Sequence, residues 1–221
     1  MKYYFKEYEK GYQLLKKKNK SIWAELFSEE FSFDKFDMLS FMEQALPLIS
    51  IKNKHKRALE YGCGTGAGAY YLEQNGFIVD AIDISPTAIE LAKEIANQRE
   101  SKVNYILGDV CNSSLKNINY DLIVDNYCLQ GIVTDDDRKR LFSFIHSNLS
   151  SIGYYLIGSV IFKEDRVYED CYFDEESGKC YVEIIDKLNE YEDKIQINNK
   201  YYIPERKHPK PENLKLEVGK C

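Results

Sequence analysis

No stretch of this sequence stays apolar for the roughly 20 residues that a bilayer-crossing helix needs, so a helical membrane span is not expected. Met1 to Lys10 mixes tyrosine, lysine and glutamate and has no apolar run of the kind a secretory signal carries. The expected location is the cytoplasm, where thiols stay reduced. The cysteines agree. Cys63, Cys111, Cys128, Cys171, Cys180 and Cys221 include no Cys-x-x-Cys pair, so neither a zinc site nor a disulfide framework is expected. A basic excess is also missing. There are 30 Lys and Arg against 36 Asp and Glu, a formal net charge of -6, which argues against nucleic acid as a partner. Lys16, Lys17 and Lys18 read as a solvated helix face. Only three histidines are available as bases, and three of the five prolines crowd into the segment from Pro204 to Pro211.

What the chain does have is 44% hydrophobic and 30% charged residues over 221 positions, enough for one well-packed domain. It divides into three stretches. Residues 1–56 read as helical, with Tyr4, Tyr8, Tyr12 and Leu15 at helical spacing and apolar clusters at Ile22–Phe36 and Met38–Ile49. Residues 57–162 alternate strands and helices. Strand candidates are Arg57–Tyr61, Phe77–Asp83, Val103–Leu107, Asp121–Asp125 and Tyr154–Ile161, each short and apolar as in a sheet covered on both faces. The intervening helices have clear punctuation. One ends at Asn75-Gly76, one begins at Ser85-Pro86, and one runs from Thr134 to Leu149. This alternation predicts an α/β fold with a doubly wound, mostly parallel sheet, and ligands beyond the carboxyl ends of its strands. In residues 163–221, Asp170–Phe173 and Lys179–Ile185 flank a glycine turn, Lys194–Ile197 and Lys200–Ile203 flank Asn198-Asn199, and a short helix starts near Pro211.

The chemistry concentrates in Glu60-Tyr61-Gly62-Cys63-Gly64-Thr65-Gly66, which follows a strand and opens a helix. Glycines leave the backbone approachable, and the helix start offers free N–H groups to an anion. The looser pattern Gly62-x-Gly64-x-x-Ala67, with Asp83 21 residues after Gly62, also fits a dinucleotide site. Glu60 weighs against that reading, because a pyrophosphate would repel a carboxylate placed there whereas an ammonium would be attracted.

Glu-x-Gly-Cys-Gly-Thr-Gly resembles motif I of the class I S-adenosylmethionine-dependent methyltransferases, and the resemblance extends over about half of the chain, roughly Arg57 to Phe162. It implies a Rossmann-like fold, a small-molecule methyl acceptor and S-adenosylmethionine as cofactor, released as S-adenosylhomocysteine. It also implies roles for particular residues. Glu60 would orient the methionyl amino group, Gly62, Cys63, Gly64 and Gly66 would pass under the methionine and ribose, and Asp83 with Ile84 would hold the ribose. Asp109 with Val110 would contact the adenine, and Asn126 would lie near the methyl group. Trp23 either packs in the core or covers the cofactor. Two other functions stay open: a non-catalytic cofactor-binding module and an NAD(P)-dependent oxidoreductase.

Methyl transfer needs alignment and exclusion of water more than it needs acid–base groups. No base stands out. His55 and His146 read as surface or packing residues, and His208 and the Asp125-Asn126-Tyr127 segment are candidates. Asp135, Asp136 and Asp137 after Thr134 read as a capped helix start, not as metal ligands. Tyr201 and Tyr202, with the Asp174–Gly178 turn, are expected to shape the acceptor pocket. Family members continue after the fifth strand with a helix and a strand pair that completes a seven-stranded sheet. Here the last two strands are expected to be missing, leaving the fifth strand's edge open for self-association.

Overall fold

The computed structural model describes residues 3–115, 118–168, 171–185, 191 and 193–219. Five strands, β1 (Arg57–Tyr61), β2 (Ile78–Asp83), β3 (Asn104–Leu107), β4 (Tyr120–Asn126) and β5 (Leu149–Gly158), form one parallel sheet in the order β3-β2-β1-β4-β5. Register runs Tyr61 beside Ile82 and Tyr61 beside Asp125, so the strand ends are nearly level. The winding direction reverses between β1 and β4, and a cleft opens there at the carboxyl ends.

Helices cover both faces. They are α1 (Tyr3–Lys17), α2 (Leu39–Ala45), α3 (Ala67–Gln74), α4 (Pro86–Gln98), α5 (Asp135–Asn148) and α6 (Pro211–Val218). Met42, Leu72 and Ala92 belong to one apolar core with Ala58, Val79 and Leu122, while Leu141, Phe142 and Ile145 share another with Leu59 and Ile123. The expected caps are in place. The Ser85 hydroxyl accepts from the Ala88 N–H at 3.0 Å, and that of Thr134 accepts from the Asp137 N–H at 3.2 Å. The three acids after Thr134 thus occupy the first turn of α5, where the helix dipole favours them.

A second, antiparallel sheet of order β6-β7-β9-β8 comprises β6 (Tyr172–Asp174), β7 (Lys179–Ile184), β8 (Ile195–Ile197) and β9 (Lys200–Lys207). Both expected hairpins are present, though Asp170, Lys220 and Cys221 lie outside the described residues. These strands pair with one another and leave the main sheet at five strands. Among the described residues β5 pairs only with β4.

Several element boundaries differ from expectation, among them β9, which runs on through Pro204 to Lys207 where an end at Ile203 is expected. The cluster Ile22–Phe36 forms only a 3-10 turn at Trp23–Leu26, because Glu25 turns back to accept from the backbone N–H groups of Ser21 and Ile22. Its apolar residues Ile22, Phe33 and Phe36 are buried as separate anchors, not as a helix stripe. Strand β5 starts at Leu149, not Tyr154, and a register irregularity absorbs its polar Ser150-Ser151.

Candidate cofactor site

A cavity of about 520 Å³ occupies the cleft at the sheet's switch point. Its floor is the loop after β1. Gly62, Gly64 and Gly66 have φ of +61°, +55° and +89°, a left-handed backbone that only glycine adopts at little cost. Gly62, Cys63 and Gly64 line the cavity. Gly66 caps α3 and faces Tyr105 instead. The loop is fastened to β2, since the Gly64 N–H donates to Asp83 at 2.8 Å. The other Asp83 oxygen accepts from the Ser85 N–H at 2.8 Å. Burial still pushes the Asp83 carboxyl up to about 6 against these donors. Both oxygens keep a lone pair for further hydroxyl donors. Ile84 lines the cavity beside it.

Glu60 lies beneath the loop and is only 1% exposed. Its Oε1 accepts from Asn126 Nδ2 at 3.3 Å. Its Oε2 and the Asn126 Oδ1 are both buried and have no partner. Burial is the main reason that the Glu60 carboxyl is pushed up to about 8. Asn126 lines the cavity and Glu60 does not, and their two orphan acceptors, one able to carry charge, favour a cationic N–H donor. Gly68 is what brings α3 this close, since a Cβ there would fall 2.3 Å from Glu60 Oε1. Nothing in the sequence alone assigns Gly68 this role.

Asp109 and Val110 form the far wall. The Asp109 carboxylate is already engaged: it accepts from the Cys111 N–H at 2.9 Å, from Asn112 Nδ2 at 2.6 Å and from the Tyr4 hydroxyl at 2.9 Å. The Tyr4 bond comes from α1, which lies over the cleft. Tyr4, Tyr8 and Tyr12 line the cavity from that helix, and Trp23 packs edge-on to Tyr12 with ring centroids 5.0 Å apart. Trp23 therefore both packs and lines the cavity. Glu9 ties α1 to the start of α4, accepting from the hydroxyls of Ser85 at 2.6 Å and Thr87 at 2.5 Å. The helical spacing of these tyrosines was visible in the sequence. That their face points at a cavity was not.

Several catalytic candidates are not in the cavity. Asp125 is fully buried and holds the next turn, its Oδ1 accepting from the N–H groups of Cys128 and Leu129, both at 2.9 Å. Tyr127 at φ +62° turns the chain sharply, so Asn126 and Tyr127 line the cavity and Asp125 does not. His208 is buried beside the second sheet, where its Nδ1 meets the Tyr168 hydroxyl at 3.2 Å, and burial depresses its pKa to about 4. Tyr201 and Tyr202 lie in the second sheet, where Tyr202 packs against Tyr172. Neither they nor the Asp174–Gly178 turn line the cavity. The residue that this region does contribute is Arg206.

Residues 58–153 match the family model of a methyltransferase domain. Those 96 of the 221 residues carry a methyltransferase domain. S-adenosylmethionine is the cofactor of this methyltransferase. Over greater length the chain is 24% identical to a carboxy-S-adenosyl-L-methionine synthase of Campylobacter curvus, a match covering 76% of the chain and 74% of that protein. It is 37% identical over 98 residues to a malonyl-[acyl-carrier protein] O-methyltransferase of Ilyobacter polytropus, covering 43% of the chain and 35% of that protein. Among solved structures, an S-adenosylmethionine-dependent methyltransferase of Clostridium acetobutylicum superposes with a TM-score of 0.58 at 16% identity, covering 81% of the chain and 76% of its own. One from Methanosarcina mazei gives 0.58 at 19%, covering 76% and 80%. These two show a shared fold.

Proposed function

We propose that this methyltransferase passes a methyl group to a small molecule bound under α1, and that the residues around the cavity divide the cofactor among them. The observation that carries the assignment is the pair of orphan acceptors, Glu60 Oε2 and Asn126 Oδ1. They suit the methionyl ammonium and would repel a pyrophosphate, which disfavours a dinucleotide. Asp83 takes the ribose hydroxyls, Ile84 and Val110 flank the adenine, and Gly62, Cys63 and Gly64 pass beneath the methionine and ribose. Asp109 reaches the adenine amino group by sharing its carboxylate with Tyr4 or by releasing it. The bound cofactor supplies an electrophilic methyl on a sulfonium. The protein's part is to hold the acceptor in line and to keep water out. The left-handed Tyr127 and the tyrosine face of α1 serve that purpose from either side.

Asp83→Ala tests the ribose assignment. It removes two hydrogen bonds to a charged group, each worth roughly 1.5–3 kcal/mol. The expected result is a drop in S-adenosylhomocysteine affinity of at least about a hundredfold by calorimetry. Unchanged affinity with lower stability would make Asp83 only the clamp between the Gly64 loop and the Ser85 cap.

A further inference from the structure

The cavity walls are aromatic, apolar and neutral polar side chains with few charges. Their ionisable groups include Asp37, Asp83 and Asp109, and among the described residues Arg206 is the one basic side chain that lines the cavity. Its neighbours in the second sheet are paired. Lys179 and Lys207 meet Asp135 at 3.4 and 3.5 Å, Lys207 also meets Glu217 at 3.2 Å, and Lys210 meets Glu175 at 3.5 Å. Arg206 is exposed and makes no ion pair with a described residue, including the adjacent Glu205.

Its direction has a structural cause. Strand β9 pairs Arg206 with Cys180 and Pro204 with Tyr181, so Glu205 is an extra residue in the ladder. A bulge of this kind breaks the two-residue alternation and re-aims the side chain beside it. Here β9 packs beside the turn Leu129–Gly131, and Arg206 lines the cavity together with Tyr8, Gln130 and Gly131. Gln130 Oε1 is buried there with no partner. Neither Arg206 nor Gln130 hydrogen-bonds the Glu60–Asn126 pair assigned to the cofactor. The wall also includes Phe27, Phe36 and Val160, which suit an apolar body.

We propose that the methyl acceptor carries an anionic group, a carboxylate or a phosphate, and that Arg206 holds it. A guanidinium meets either group with two parallel N–H donors. The proposal rests on the methyltransferase reading, and its test separates the two. Protein saturated with S-adenosylhomocysteine is titrated with benzoate, phenyl phosphate and neutral benzamide. The expected result is that one of the anions binds at least about tenfold more tightly than benzamide, which also tells carboxylate from phosphate. Arg206→Ala should bring that anion down to the level of benzamide, Arg206→Lys should keep part of the advantage, and S-adenosylhomocysteine affinity should change by less than about twofold in both variants. Benzamide binding as well as the anions, no anion binding to the wild type, or no effect of Arg206→Ala would overturn the proposal while leaving the methyltransferase reading standing. An equal loss of S-adenosylhomocysteine affinity in Arg206→Ala would overturn it too, because Arg206 would then hold the cofactor's own carboxylate. A wild type that fails to bind S-adenosylhomocysteine would sink the underlying reading and the proposal with it.

Discussion

Glu60→Gln should cost roughly ten- to a hundredfold in S-adenosylhomocysteine affinity, the loss expected when a charge-assisted hydrogen bond becomes a neutral one in a dry site. The same substitution should make the ligand-free protein less sensitive to alkali. The Glu60 carboxyl is raised to about 8 in the fold by burial, against 4.5 for an ordinary glutamate. Between those values the folded state binds more protons than the unfolded one, so this group's contribution to stability is present below about pH 4.5 and fades as pH rises toward 8. Asp83 and Asp125, raised to about 6 and about 7 by burial, act in the same sense. Thermal melts of the ligand-free wild type should therefore fall between pH 5 and 8, and Glu60→Gln should flatten part of that fall. A variant that binds as tightly as the wild type would remove Glu60 from the site. One that binds weakly but melts with the wild-type pH dependence would remove the burial argument.

Arg138→Ala is expected to be the most destabilising single change. Arg138 is 1% exposed and grips both oxygens of Glu217, at 2.6 and 2.7 Å, while donating to the carbonyls of Leu129 and Ile132 at 2.9 and 3.0 Å. It thus joins α5 to α6 and to the turn that forms one corner of the cavity. Removing one partner of a buried ion pair costs about 3–5 kcal/mol. In a domain of this size that lowers the melting temperature by about 10 °C or more. Replacing both members, as Arg138→Met with Glu217→Leu, should recover part of the loss and not all, because the two carbonyls still lack a donor. A shift of only 1–2 °C for Arg138→Ala would show that the pair contributes little.

The parts of this site that could be read from sequence are those built locally. Strand, glycine turn and helix start are contiguous at Glu60–Gly68, and a strand end followed by Ser85-Pro86 places Asp83 with equal economy. Residues that depend on a distant partner were less legible. Nothing near Tyr4 in the sequence indicates that it reaches Asp109. The two-residue period of β9 cannot reveal the bulge that points Arg206 into the cavity. Asp125 and Asn126 are neighbours on one strand, and only the left-handed Tyr127 decides which of them faces the ligand. His208, Tyr201 and Tyr202 were drawn toward the site by residue type alone, and the second sheet holds them elsewhere.

The central claim is that Glu60 and Asn126 receive the cofactor's ammonium. An ammonium there stabilises the ionised carboxylate, so binding near pH 7 must expel the proton that burial keeps on Glu60. Calorimetric titration of S-adenosylhomocysteine into the wild type at pH 7, in two buffers of different ionisation enthalpy, measures that proton directly. The account predicts tight binding with net proton release, and loss of the release in Glu60→Gln. Tight binding with the same enthalpy in both buffers, or with proton uptake, would contradict it.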